Sequence, residues 1–426
     1  MTTVSRRGFL ALAAILPSFA QTSDRLSSAD EEFLDDLSRR AFRYFWEQSD
    51  AGTGLVLDRS RVDGSLVPGR SMEVASIALT GFYLTALCIG AERRWKPLDE
   101  CRERTRRTLS HLANDQENVR GWYYHFVNRK SGARVWNCEL STIDSALLLA
   151  GVITAQQYFA TDAEIYQLAS GLYARVDFPW LLDSSTRCIR MGWKPESGFL
   201  RAEWTDYDEN AILAILAIAS PTFPIPVDCW YAFRRSEMNL CGHRFVGRGP
   251  LFTHQFAQAW LRLAHLQDGP PYQIDYFQNS TVATYAFRDY WLSLRGLYPS
   301  YSEHLWGVTP SDSNIGYVAW GSPISRRDLD GTVVPCAAAG SLMFAPEICL
   351  PALRFMQQEF RDLIYGPYGF TDSFNPLTRW ANPDVVGLDV GITLLSAENL
   401  RSANIWRWFH RSADIERAMR SVFENI

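Results

Sequence analysis

The strongest constraint on the fold is a rhythm in the apolar residues. "SMEVASIALTGFYLTALCIGAERR" (71–94) is apolar nearly all round, and "LDECRERTRRTLSHLAND" (98–115), which follows at once, keeps its charges on one face. A helix without a polar face must be buried on every side, whereas one with a charged stripe belongs at the surface. The pattern recurs. "ELSTIDSALLLAGVITAQQYF" (139–159) precedes the amphipathic "DAEIYQLASGLYARV" (162–176), and "DENAILAILAIAS" (208–220) is again apolar throughout after its first residues. Helical spacing also marks 30–48, 254–266, 276–294, 346–360, 388–401 and 414–423. About a dozen helices make six hairpins, an inner ring wrapped by an outer one. The expected fold is all-α, an (α/α)6 barrel. A solenoid of short repeats ranks lower, because no 34- or 40-residue self-similarity is visible.

Long stretches rich in Gly, Pro, Trp and Asp separate the helices at 50–70, 184–206, 296–337 and 361–386, and loops of that length usually carry function. No stretch reads as a linker, and the choice is between two domains and one large repetitive architecture. The first 20 residues read as a signal: Arg6 and Arg7 precede a short apolar run and a small-residue exit, in a twin-arginine-like arrangement. Export to the periplasm or the medium follows, with no stable membrane insertion after cleavage. A net charge of −5 without a basic block argues against nucleic-acid binding. A monomer is expected. The eight cysteines form no CxxC pair and the histidines show no metal spacing, so neither a metal nor a cofactor is expected. Cys229 with Cys241 or Cys188 is a conceivable disulfide, and buried free thiols are equally compatible.

The chain holds 15 Trp, 18 Tyr and 24 Phe, and such rings serve sugar-binding clefts as platforms as well as filling helix gaps. In a toroid the inner helices bring their N-termini to one face, where the loops also gather. Carboxylates at those N-termini therefore converge. Glu139 opens one such helix, Asp206, Asp208 and Glu209 a second, and Asp384 and Asp389 a third, while Asp144 lies inside the first, on a face shared with Leu140, Leu147 and Leu148. Asp and Glu also favour first turns as caps, and Asp206 is the best cap candidate. Glycoside hydrolysis calls for two carboxyl groups, one holding a proton and one ionised. Glu209 suits the acid, with Trp204 and Tyr207 close in sequence, like charges at 206 and 208, and an apolar helix behind it. Glu398, inside an apolar helix, needs a partner such as Asn399 or Arg401. No nucleotide-binding glycine pattern or nucleophile elbow is present. A polysaccharide lyase would need a Tyr/His pair, for which His254 is the candidate.

The blocks "FRYFWEQSDAGTGLVLDRS", "WNCELSTIDSALLLAGVITAQQYF", "MGWKPESGFL", "GPLFTHQFAQAW", "AAAGSLMFAPEICLPALR", "YGFTDSFN" and "VGLDVGITLLSAENLR", in this order, resemble the bacterial glucoamylase-like domain family. Its characterised members include the endo-β-1,2-glucanases of glycoside hydrolase family 144. The resemblance runs from about Phe33 to Phe423. It implies a single (α/α)6-barrel catalytic domain over 28–426 and hydrolysis of a β-glucan substrate without a metal. Glu209 falls on the family's general acid, Asp389 on its second essential carboxylate, and Asp144 on a further carboxylate of a central helix. Asp208 stands where the family usually has Asn. Glu139, Trp136, Trp193, Tyr207, His254 and Gln255 are candidate sugar contacts. A non-catalytic glycan-binding protein and a glycan-remodelling transglycosylase are the alternatives.

Overall fold

The computed structural model describes residues 26–320 and 329–424. The signal expected over residues 1–20 lies outside the described residues. The described chain is built on α-helices: α1 (Ser28–Gln48), α2 (Ile77–Glu92), α3 (Leu98–Asn114), α4 (Thr142–Tyr158), α5 (Ala163–Ala174), α6 (Asn210–Ala219), α7 (Phe252–Gln255), α8 (Tyr276–Ser293), α9 (Pro335–Ala339), α10 (Pro346–Ile364), α11 (Gly387–Ser402), α12 (Asn404–Phe409) and α13 (Ala413–Val422). Strands are short and form two- or three-stranded antiparallel ribbons in the connections. Among the described residues, no helix is long and apolar enough to cross a membrane.

The apolar rhythm sorts the helices as their sequences require. Every residue of α6 is buried, as are Ile77–Ala91 of α2 and Thr142–Ala155 of α4. By contrast α3 buries only Cys101, Thr105, Thr108, Leu109, His111 and Leu112, the stripe left by its charges. The all-round-buried helices pack on one another, α2 on α4 and α11, α4 on α6, and α9 on α11. The striped helices lean on them from outside, α1 on α11, α3 on α2, α5 on α4 and α13 on α6.

The tightest of these contacts, α2 on α4, is set by two glycines. A Cβ on Gly151 would lie 2.0 Å from the Gly81 carbonyl oxygen, and one on Gly81 would lie 2.2 Å from that of Leu147. Backbone rather than a yielding side chain stands in the way. Gly151→Ala is therefore expected to cost about 3 kcal/mol, the upper end of ordinary overpacking, read as a lower urea midpoint at unchanged slope.

Two expectations are corrected. The segment 254–266 is not one helix. It is the short α7, a 3-10 turn at Ala257–Ala259 and then coil. Its backbone groups are claimed from outside: Trp406 Nε1 donates to Gln258 O (2.7 Å), Asn399 Nδ2 to Ala259 O (2.8 Å), and the Arg262 N–H to His410 Nε2 (3.1 Å). Helices α9 and α12 have no counterpart in the sequence reading. All eight cysteines are free thiols, seven of them buried and Cys241 exposed. Glu398 is wholly buried and paired with Arg93 at 2.9 Å and with Ser402 and Asn404, not with Arg401, which reaches Glu31.

Candidate active site

The apolar inner helices begin where ribbons cross, and these crossings gather the carboxylates. The strand Val74–Ser76 leads into α2 and pairs with Phe126–Asn128. The strand Arg59–Arg61 pairs with Asp384–Val386, which leads into α11. Backbone bonds lock the junction: Ile77 N–H donates to His125 O (3.0 Å), His125 N–H to Glu139 O (3.0 Å), and Gly387 N–H to Asp58 O (2.8 Å). Residues far apart in the chain, 58, 125, 139 and 387, thus share one neighbourhood.

Glu209 ends the loop before α6. It is half-buried, with Tyr207 and Asn210 buried on either side. Burial pushes its carboxyl well above the usual range, and the charges of Asp208 and then Asp144 push it further. Asp208 is itself pushed up to about 6, chiefly by burial, although its carboxylate accepts the Glu209 N–H at 2.7 Å. This pair holds protons at pH values where an ordinary carboxyl has none. The loop is braced by Trp204, whose Nε1 donates to Thr142 Oγ1 at 3.1 Å in the first turn of α4. Asp206 is not a helix cap, because α6 has no side-chain cap. Its carboxylate instead binds Arg234 (2.6 Å) and Ser236 (2.7 Å), which pin the loop from the far side. Glu203 accepts from Thr186 Oγ1 at 2.8 Å and faces Arg190 at 3.5 Å.

Asp144 lies in the first turn of α4, buried, in a short bond from the capping residue Ser141. His125 stands between two acids, with Nδ1 3.0 Å from Glu139 Oε1 and Nε2 3.5 Å from Asp144 Oδ2. Burial alone would drive the proton off this imidazole. Asp144, Glu139 and Asp58 outweigh it, and its pKa rises. The hydrogen bond from His125 holds Glu139 down at about 2.

A second acidic group surrounds the start of α11. The carboxyls of Asp389 and Asp372 lie close enough for each to shift the other. Burial pushes both up, and the charge of Asp372 pushes Asp389 further, so the proton they share sits on Asp389. Asp372 also accepts from the Asp312 N–H (3.0 Å) and Asn382 Nδ2 (2.6 Å), bonds that favour its ionised form. Arg59 pairs with Asp312 at 2.6 Å and with Asp58 at 3.4 Å, and Arg61 with Asp384 at 2.6 Å. Through Asp58 and Arg59 the Glu209 group and the Asp389 group meet: Asp58 acts on His125, and Arg59 on Asp389. Among the described residues, no cluster of His, Cys, Asp and Glu has the geometry of a metal site.

The model of the Glycoamylase family, described as "Putative glucoamylase", matches residues 201–413, half of the chain. The match includes both Glu209 and Asp389. The chain belongs to this family. A relative named exo beta-1,2-glucooligosaccharide sophorohydrolase (non-reducing end), from Parabacteroides distasonis, is 25% identical over 431 aligned residues, 92% of this chain. The chain spans only 58% of that relative's length. Among solved structures, the endo-beta-1,2-glucanase of Chitinophaga pinensis, in complex with sophorotriose and glucose, superposes with a TM-score of 0.86 at 24% identity, covering 94% of this chain and 99% of the other. A beta-1,2-glucanase of Parabacteroides distasonis gives a TM-score of 0.83 at 24% identity, over 92% and 60% of the two chains. At these identities the superpositions speak to the fold.

The other sugar-contact candidates of this Glycoamylase-family chain divide. Trp136 and Trp193 keep exposed ring surface. Trp136 is 47% exposed, held outward by backbone at φ 57°, with Asn137 after it at φ 48°. Two consecutive left-handed non-glycine residues are costly, and such strain clusters at functional sites. Its ring meets Phe126, which stacks on His125 at 3.8 Å. Trp193 packs against Trp180. Gln255 is a correction: it is buried, donating to Ala337 O (3.0 Å) and Ser341 Oγ (2.8 Å), and it fills the space over Gly340. It ties α7 to α9. Tyr207 and His254 do lie side by side, ring centres 6.0 Å apart, but both are buried. Burial holds His254 neutral, its pKa pushed down to about 4, and pushes Tyr207 well up. They wall the acid loop from behind, and the pair that a lyase would need faces no open space.

The sequence reading missed Asp58, Arg59, His125, Asp312 and Asp372. Asp58 and Arg59 stand in the block "GLVLDRS" and Asp372 in "YGFTDSFN", both singled out for their family likeness. His125 carries no local signal beyond its place in "GWYYHFVNR".

Proposed function

We propose that this protein is an exported glycoside hydrolase that cleaves β-1,2-glucan by carboxylate acid–base catalysis, with the inner helices closing into an (α/α)6 barrel as one catalytic domain over 28–426. The observation that carries the reading is Glu209, a half-buried carboxyl that keeps its proton because burial, Asp208 and Asp144 oppose its ionisation. An acid held so can protonate a glycosidic oxygen at neutral pH. The β-1,2 linkage is supported by the names of the relatives above.

In this reading the Glu209 proton passes to the leaving oxygen as the bond from the anomeric carbon breaks. A water adds its oxygen to that carbon and gives a proton to the Asp372–Asp389 pair, which holds one carboxylate ionised for it. Solvent returns a proton to Glu209 and removes one from the pair. Trp136 and Trp193 offer ring faces to neighbouring glucose units, and Glu139, ionised and half-exposed, accepts from sugar hydroxyls.

A reducing-end assay across β-1,2-, β-1,3-, β-1,4- and α-1,4-glucans tests this directly. Release of reducing ends from β-1,2-glucan alone is expected, with products that only shorten. Binding without release would favour a glycan-binding protein, and products longer than the substrate a transglycosylase. Either result overturns the assignment.

A further inference from the structure

We propose that His125 is a positioning residue for the acid: its imidazolium, clamped between Glu139 and Asp144, fixes Asp144 as the charged neighbour of Glu209 and so keeps the catalytic proton on Glu209. This rests on the hydrolase reading above. The clamp is built from several independent contacts. The backbone of His125 is held on both sides, by Glu139 O and by the Ile77 N–H that opens α2. Its ring is stacked on Phe126 at an interplanar angle of 17°. Each ring nitrogen points at a different carboxylate, at 3.0 and 3.5 Å. Nδ1 is within hydrogen-bond distance of Glu139 and Nε2 faces Asp144 at ion-pair distance, an arrangement that suits the cationic form, with hydrogen on both nitrogens.

The charged groups facing the ring are Glu139 ahead of α4, Asp144 within it and Asp58 on the loop after α1. Lys194 faces Glu139 from the adjoining ribbon. Anions therefore dominate the neighbourhood, and the imidazolium is their partner on this side as Arg59 is on the other.

The consequence concerns where one proton resides. Glu209, Asp208 and Asp144 lie close enough for their charges to interact. The imidazolium against Asp144 holds that carboxylate beside Glu209, whose proton the neighbouring charge helps to retain. Without the cation that placement is lost. A bias of one pKa unit is worth about tenfold in occupancy.

His125→Gln keeps the size and the hydrogen-bonding ability of the side chain and loses the charge. It is expected to lower kcat on β-1,2-glucan about tenfold with KM within about threefold, and His125→Lys, which restores a cation, to recover most of the loss. A ligand-free measurement accompanies it. In protein labelled with 15N-histidine, the His125 ring nitrogens are expected both to be protonated at pH 7, and the Asp144→Asn variant to lose that proton at lower pH. A neutral His125 in the wild type, an unchanged kcat in the Gln variant, or no recovery with Lys overturns the inference. A wild type inert on every glucan would overturn the hydrolase reading, and the 15N result would then report on the clamp alone.

Discussion

Glu209→Gln is expected to abolish hydrolysis, with turnover on β-1,2-glucan falling about 10²–10⁴-fold and the thermal midpoint unchanged. The two halves of the prediction have one cause. The Glu209 carboxyl is held protonated by burial and by its acidic neighbours, so an amide of the same shape replaces a group that is already neutral. Packing and solvation change little, and only the transferable proton is lost. The sign of the pH dependence follows. An acid must be protonated to act, and its pKa lies above the ordinary carboxyl range. Activity should therefore persist above that range and fall as pH rises through the raised value. Asp208→Asn removes a like charge, so Glu209 gives up its proton at lower pH and the alkaline limb of kcat/KM moves down. Near-wild-type turnover in the Gln variant would sink the assignment of the acid, and an alkaline limb unmoved by Asp208→Asn would remove Asp208 from its control.

Those residues were legible in the sequence because they stand at helix starts. The contrast between the fully apolar α2 and the striped α3 separates buried from surface helices, and a carboxylate beside a helix of the first kind has few solvent-facing uses. Glu209 and Asp389 were found that way, and Asp144 as a carboxylate inside an otherwise apolar helix. His125, Asp58 and Asp372 were not, since each lies in a loop or beside a short ribbon with no periodicity. They become neighbours only when Val74–Ser76 meets Phe126–Asn128 and Arg59–Arg61 meets Asp384–Val386. The second pairing joins positions more than 300 residues apart, which no local pattern records. The inward turn of Gln255 was invisible for a related reason. Its partners Ala337 and Ser341 belong to α9 and the turn after it, elements the sequence reading did not separate from the long loop before them. Asp206 misled by looking like a cap, when Arg234 and Ser236 had claimed its oxygens from the segment just before the strand Glu237–Leu240.

The second large effect belongs to the acidic pair at α11. Asp389→Asn and Asp372→Asn are each expected to reduce kcat by about 10²–10⁴-fold, and the double variant to be no slower than the worse single one. Two carboxyls that share a proton titrate as a unit, and neither pKa belongs to one residue. Removing either acid leaves a lone carboxyl beside an amide. That site no longer holds a proton on one oxygen while offering a carboxylate on the other. Once the unit is broken, the second substitution has nothing left to remove, so the losses do not multiply. A purely structural Asp372 predicts something different. Its bonds to the Asp312 N–H and to Asn382 join two loops, and their loss would show as a lower urea midpoint with kcat of the folded fraction preserved. Asparagine still offers one acceptor oxygen to those donors, so the catalytic loss should exceed any loss of stability. Measuring kcat and the urea midpoint for the four proteins separates the cases. Multiplying losses would assign Asp389 and Asp372 independent tasks, and full activity in Asp372→Asn would leave Asp389 to activate water without it.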